Sequence, residues 1–467
     1  MKIKTTLLLL LSSFMLHPSA FSQGPLAPPP GEPGPTFKTL GQIEPRKVIA
    51  NLPGGGGFNY VIAQGGSYYL TGDLAVDKDN GINVIAPGVT IDLNGFRIIR
   101  TGGPLGGTAI SISGPDCTVK NGSLNAITSP GFANGIVDTQ TGGAFSGLRI
   151  QGCTQVAIDA GENATVTDCI VSDNTNGIRA GKASVLTRCI ARRTVGAVAL
   201  QAGQGSTLTN CVAELNQTTS AFLVDQGSSL QNCTGFGNKS AQVFFTSTGV
   251  ALTGCAAVSN TTDYGFRVGA GSTLTDCTAR SNTSSAATSY GIYAADSSTL
   301  IGCTSSSNVT SNGAATDQTG IGIFGGVGST VKDCTSGLNK GIGIQVAIGS
   351  TVTGCTARSN GNDGIRAPND CLIARNSCSQ NGAVTASAGI HVTSQGNRIE
   401  ENHLVFNSNA GIRVAAANNF VVRNSSRFNN AGTANNYVIA AGNFVGTIVT
   451  SEASLNSASN SNVNISY

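Results

Sequence analysis

Methionine occurs only as Met1 and Met15, and histidine only as His17, His391 and His403, in 467 residues. Beyond residue 22 the chain therefore has no thioether for a soft-metal site. With no CxxC pair and almost no histidine, it also lacks a tetrahedral zinc set, so neither metal nor cofactor is expected. Charge is scarce as well, at 11% Asp, Glu, Lys and Arg, with a formal net charge of +3. Removing residues 1–22 takes Lys2 and Lys4 and no acid, which leaves +1. Such a chain has no long-range field for nucleic acid or a membrane surface, and neither is an expected partner. No segment after the leucine run at 7–11 approaches the roughly 18 to 20 apolar residues of a membrane span.

What is abundant is glycine, 62 residues, with serine, threonine and asparagine. That composition argues against a helical enzyme and for many turns. The opening "MKIKTTLLLLLSSFMLHPSAFSQG" has two lysines, a short apolar run and small residues at Ala20 and Ser22. It reads as a secretory signal peptide cleaved after Ser22, which predicts a secreted, periplasmic or cell-surface protein. Residues 23–57 form a Pro/Gly-rich spacer that includes "GPLAPPPGEPGPT", 58–450 the folded body, and 451–467 a Ser/Asn-rich tail.

The body is repetitive. "GSTLTDCTARSN" at 271–282 returns as "GSTVTGCTARSN" at 349–360. Ten of the 13 cysteines hold one position of the repeat, spaced 22 residues apart four times between Cys189 and Cys277. A fixed period of this size marks a stacked repeat. Three residues before the cysteine stands an aliphatic residue, as in Leu208, Leu230 and Leu274, and two after it a small one, as in Ala213, Ala257 and Ala279. These cannot lie on one face of a single unbroken strand with the cysteine, because side chains alternate with period two. Each copy thus predicts two short strands around a corner, and a third in the pattern Gly-Ile-x-Val, as at 265–268, 389–392 and 411–414. An asparagine five residues after the cysteine, such as Asn282 or Asn360, suits the next corner because it tolerates left-handed backbone. Three strands per 22 residues, none able to bury its apolar face alone, predict an all-β solenoid: a single-stranded parallel β-helix of about sixteen coils, on the order of 75 Å long.

Residues 66–98, "GSYYLTGDLAVDKDNGINVIAPGVTIDLNGFRI", resemble the opening coils of right-handed parallel β-helix proteins of the pectate-lyase-like superfamily. "NRIEENHLVFNSNAGIRV" at 397–414 is similar to the Asn-rich repeats of periplasmic and carbohydrate-processing β-helix proteins. The resemblance implies the right-handed fold over roughly 58–450 and no single chemistry, since lyases, hydrolases, esterases, adhesins and binding proteins share it. Neither the aspartate cluster of calcium-dependent pectate lyases nor the paired aspartates of polygalacturonases is present, so no catalytic residue carries over.

The ladder cysteines are expected to be interior packing residues, about 4.8 Å apart between coils, against the ~3.8 Å Cβ separation a disulfide prefers. Cys117, Cys371 and Cys378 lie off the ladder, and Cys371 with Cys378 is the one plausible local bridge. Asn376, Asn402 and Asn424 replace the cysteine in the last coils, where a stack of inward amides can bond along the axis.

Function is sought on the outward residues of the third strand. From coil to coil they read Asp159, Arg179, Ala199, Leu223, Phe244, Arg267, Tyr293, Gly322, Gly343, Arg366, His391 and Arg413. Arg366, His391 and Arg413 fall on successive coils as a basic strip. Tyr264, Tyr290 and Asp363 stand just before the same strand, with longer loops at 283–289, 309–319 and 382–388 placed to wall a groove. Tyrosines that stack on sugars and arginines that hold carboxylates suit an acidic polysaccharide as partner. Tyr264, Arg267, Tyr290 and Tyr293 are the substrate-binding candidates, and His391, Arg366, Arg413 and Asp363 the catalytic ones. If the protein is an enzyme it is expected to be a polysaccharide lyase or glycoside hydrolase. The alternative is a non-catalytic surface or matrix protein of adhesin type.

Overall fold

The computed structural model describes residues 45–102, 106–125, 131–286, 288–310, 320–383, 386–431, 435–451, 453–454 and 461–467. The proposed signal peptide, most of the spacer and most of the 309–319 loop lie outside these residues. Residues from Arg46 onward form one compact unit.

Its logic is visible in one coil. Thr273–Thr275 is a three-residue strand that turns Leu274 inward between two threonines. Asp276 then takes left-handed backbone, φ 52°, and bends the chain so that Cys277 also points inward, fully buried. Thr278–Arg280 follows with Ala279 inside, Ser281 makes a second left-handed corner at φ 53°, and the next coil's third strand is Ser289–Ala294. Every strand pairs in parallel with its counterparts, for example Leu252 with Leu274 and Leu274 with Leu300. Among the described residues the sheet of third strands has seventeen members, in agreement with the expected coil number. The fold is thus a parallel β-solenoid, with two single-turn 3-10 segments among the described residues. Among the described residues no helix is long and apolar enough to cross a membrane. Lys47–Val48 pairs with Gly66–Tyr69, and Asn464–Ser466 pairs with Ser425–Arg427, so paired strands occur on both sides of 58–450.

The interior is a set of columns running along the axis. Phe222, Phe244 and Phe266 stack face to face at centroid separations of 4.5 and 4.6 Å. All thirteen cysteines are buried free thiols, Cys371 and Cys378 included, so that bridge is not formed. The register gives the reason. Cys371 occupies the column of Ser350, while Cys378 occupies that of Ala357 in the next strand, with the corner between them.

The asparagine five residues after the cysteine also differs from expectation. The left-handed residue is the one before it, Ser281 or Ser359, and the asparagine turns inward. Asn238 Nδ2 donates to Asn260 Oδ1 at 3.0 Å and to the Ala213 carbonyl at 2.8 Å, while its backbone N–H also donates to Asn260 Oδ1 at 2.8 Å. The same pattern continues through Asn282, Asn308, Asn339, Asn360, Asn381, Asn407 and Asn429. Each amide so spends both donors, and each oxygen accepts twice, which is what a buried amide requires.

The glycine of Gly-Ile-x-Val makes room for this ladder. A Cβ on Gly343 would come within 2.6 Å of Asn360 Nδ2 and 2.5 Å of the Gly364 carbonyl. That glycine therefore faces inward, which moves the outward register at four positions. Ala199, Phe244, Gly322 and Gly343 are buried, and Gln201, Phe245, Phe324 and Gln345 take the outward places.

Candidate functional site

In the observed register, one outward row on the third sheet reads Phe245, Arg267, Tyr293, Phe324, Gln345, Arg366, His391 and Arg413, each paired with the next. Over seven steps of ~4.8 Å it spans roughly 34 Å. Arg267 and Tyr293 of one predicted group and Arg366, His391 and Arg413 of the other therefore lie in one continuous row.

The first half is aromatic. Tyr264 and Tyr290 stack at 5.2 Å, Tyr290 meets Tyr293 edge-on at 5.2 Å, and Tyr293 stacks on Phe324 at 5.0 Å. Arg267 lies over both Tyr264 and Phe245, at 5.2 and 5.3 Å from the ring centroids. Burial pushes the Tyr290 hydroxyl above its ordinary pKa, so it is a neutral donor near pH 7. Beside Tyr264 an open polar groove of about 520 Å³ is lined by Thr218, Lys239, Ser240, Thr262 and Asp263.

The second half is charged, and its centre is Asp363. This carboxylate is fully buried, and both of its oxygens are bonded. Oδ1 accepts the Ala388 N–H of the next coil at 2.7 Å. Oδ2 lies 2.6 Å from both Nε and Nη2 of Arg366 and 3.0 Å from Nδ1 of His391. A buried carboxylate loses several kcal/mol of solvation and survives only when paired in this way. The Arg366 side chain is 32% exposed and that of His391 15%, so the buried acid holds two groups that still reach the surface. In the neutral ring, an Nδ1 turned to a carboxylate carries the proton and leaves the lone pair on Nε2. Arg413 comes after His391 in register, half-buried, and its Nε has no hydrogen-bond partner among the described residues.

The structure thus brings Asp363, Arg366 and His391 into contact, lays Arg413 beside them, and gathers Tyr264, Arg267, Tyr290 and Tyr293 into one cluster. His403 lies apart, on the strand His403–Val405 of another sheet. Phe245, Phe324 and Gln345 are row members that sequence reasoning missed. The signal for the two phenylalanines lies in "VFF" and "GIGIF", where the Phe or Ile that fills the core column turns its successor outward.

A solenoid of parallel coils carrying a polar and aromatic row on one sheet is the class of protein these features define. The right handed beta helix region family matches residues 80–257, 154–299 and 264–463, and the chain belongs to it. A search of curated protein sequences returns no significant match. Among solved structures, a mannuronan C-5 epimerase A-module from Azotobacter vinelandii is similar at 12% identity, covering 76% of this chain and 91% of that one, with a TM-score of 0.32. A mannuronic acid specific polysaccharide family 6 lyase from human gut microbiota is similar at 10% identity, covering 78% and 80%, with a TM-score of 0.26. The catalytic unit of an α-1,3-glucanase from Streptomyces thermodiastaticus gives 11%, 76%, 60% and 0.23. At these values the likenesses carry no argument about chemistry.

Proposed function

We propose that the protein is exported, binds an acidic polysaccharide along the outward row, and cleaves it by β-elimination at His391. The observation that carries this reading is the buried Asp363 carboxylate gripping both His391 Nδ1 and Arg366. In an elimination, His391 Nε2 takes the proton from the carbon bearing the uronate carboxylate. The released electron pair forms the C=C bond, the glycosidic C–O bond breaks, and the departing oxygen recovers a proton from Nε2–H or water. Arg366 and Arg413 flank His391 in register, placed to hold the carboxylate whose charge grows as the proton leaves. The Tyr264, Tyr290, Tyr293 and Phe324 cluster offers ring faces to sugars several coils away.

Purified protein incubated with oligouronates is expected to generate the ultraviolet absorbance of an unsaturated uronate. His391→Ala and Asp363→Asn should each lower that rate by about 10²- to 10⁴-fold with binding retained. Replacing Arg366, His391 and Arg413 together with alanine should abolish binding. Binding without turnover in the unaltered protein would leave a non-catalytic glycan-binding surface, and unchanged affinity in the triple variant would overturn the basic strip.

A further inference from the structure

A second concave site, on a different sheet and near the other end of the solenoid, has no part in that row. It is a groove of about 240 Å³ lined by Arg97, Ser123, Arg149, Gln151, Ser172 and Arg192, together with Ile170, which follows Arg149 in register. Arg97, Ser123 and Arg149 succeed one another on adjacent coils, which puts the two arginines about 10 Å apart on one outward column. Ser172 and Arg192 succeed Gln151 on the other outward column, so the groove is bordered by guanidinium groups on both sides.

The acids around it are mostly spent. Asp73 is held by Arg97 at 2.6 Å. Asp173 is held by Arg193 at 2.6 and 2.8 Å and by the Gln151 amide at 2.8 Å. Glu214 is the register neighbour of Arg192 in the following coil. Arg149, by contrast, is exposed, with no ion pair among the described residues. Arg192 is half-buried, and its Nε is screened from solvent with no hydrogen-bond partner there. A buried donor left unpaired has lost its water without a replacement. Arg192 is thus a donor lacking its acceptor, at the wall of a cationic groove.

We propose that this groove is a carboxylate site for a uronic acid unit of a saccharide. Arg149 and Arg192 take the carboxylate, Ser123, Ser172 and Gln151 bond ring hydroxyls, and Ile170 meets an apolar ring face. A guanidinium fork matches a carboxylate with two charge-assisted hydrogen bonds, which a neutral sugar cannot use. The site is independent of the Asp363–His391 reading and stands if that reading fails.

The test is calorimetric titration of the full chain with trimeric galacturonate and, separately, with malonate as a free carboxylate. Arg149→Gln with Arg192→Gln should weaken one trimer-binding event by about tenfold or more, while Arg366→Gln with Arg413→Gln leaves that event intact. Trimer binding without comparable malonate binding supports the saccharide assignment. Equal binding of both overturns the saccharide class, and binding of neither, or trimer binding unchanged in the Arg149/Arg192 variant, overturns the site. Should that variant fail to fold, phenylglyoxal modification of the unaltered protein keeps the proposal falsifiable. The trimer should protect Arg149 and Arg192 in peptide mass spectra, and equal modification with and without it overturns the site.

Discussion

The middle coils and the last coils share a backbone and differ inside. From Cys189 to Cys355 the column after the first corner is thiol, with serine just before the first strand in every coil but that of Val250, and a single amide ladder at the second corner from Asn216 on. From Asn376 on, all three columns are amide: Asn376, Asn402, Asn424 and Asn464; Asn381, Asn407, Asn429 and Asn436; Asn397, Asn419 and Asn443. Each thiol of the cysteine column donates weakly to backbone carbonyls, as Cys189 Sγ does to that of Val166 at 3.3 Å. An amide column is a chain of obligations, because each side chain satisfies the one before it. The Asp363, Arg366, His391 and Arg413 cluster stands over this change of interior, on the coils where loosely coupled packing gives way to coupled hydrogen bonding.

The largest break in that comparison should come from the amide side. Asn402→Leu keeps volume but strands the Asn376 N–H and Nδ2, which both donate to Asn402 Oδ1, and the Ile373 carbonyl. At about 1–3 kcal/mol for each unsatisfied buried group, a loss of at least ~3 kcal/mol is expected in chemical unfolding. A loss under about 1 kcal/mol would mean that the ladder relaxes as freely as packing. On the thiol side, Cys277→Ala removes one atom from a column and should cost about 1 kcal/mol. Cys153 and Cys169 should also be silent, since burial pushes them up to about 12 and about 11. Alkylation at about pH 8, below the ordinary thiol pKa, should track unfolding, and fast labelling of the native protein would show that the column is open.

The smallest effect concerns the charged surface of the amide coils. A hydrogen bond from Arg398, reinforced by the charges of Arg398, Arg423 and Arg375, holds the Glu400 carboxyl below its ordinary range. A carboxylate depressed in the folded state stabilises above its unfolded pKa of about 4.3, and that contribution disappears as pH falls through the folded value. Glu400→Gln should therefore flatten the stability curve between about pH 5 and 3 by less than ~1 kcal/mol. An unchanged acid limb would assign that slope to other carboxylates.

The architecture was legible because repetition averages out ambiguity. Cysteine, the aliphatic residue before it and the small residue after it recur often enough to fix two corners per coil. The outward row was legible only where one residue was large and its neighbour was glycine, as in "GIRA" and "GIHV". In "GIGIF" and "VFF" two frames fit the apolar pattern equally well. The core column settles the choice, pairing Phe244 with Phe266 and Ile323 with Ile344. The partnership of Asp363 with His391 was less accessible still. It joins residues 28 apart through a coil whose length only the fold reveals.

The corners of the coil are not equivalent as places for change. Cys303 stands eleven residues after Ile292, as Cys334 does after Ile323 and Cys277 after Phe266, and the ladder asparagine comes five residues later in each. In these thiol coils the variation in length falls between that asparagine and the third strand, from three residues between Asn174 and Ile178 to fourteen between Asn308 and Ile323. Because the columns hold the other segments to fixed length, insertions have one permitted address. That address borders the outward row and itself holds Tyr264, Tyr290 and Asp363. A lineage of such chains can rewrite the face that bears the outward row by lengthening one corner, coil by coil, while the spine behind it keeps count.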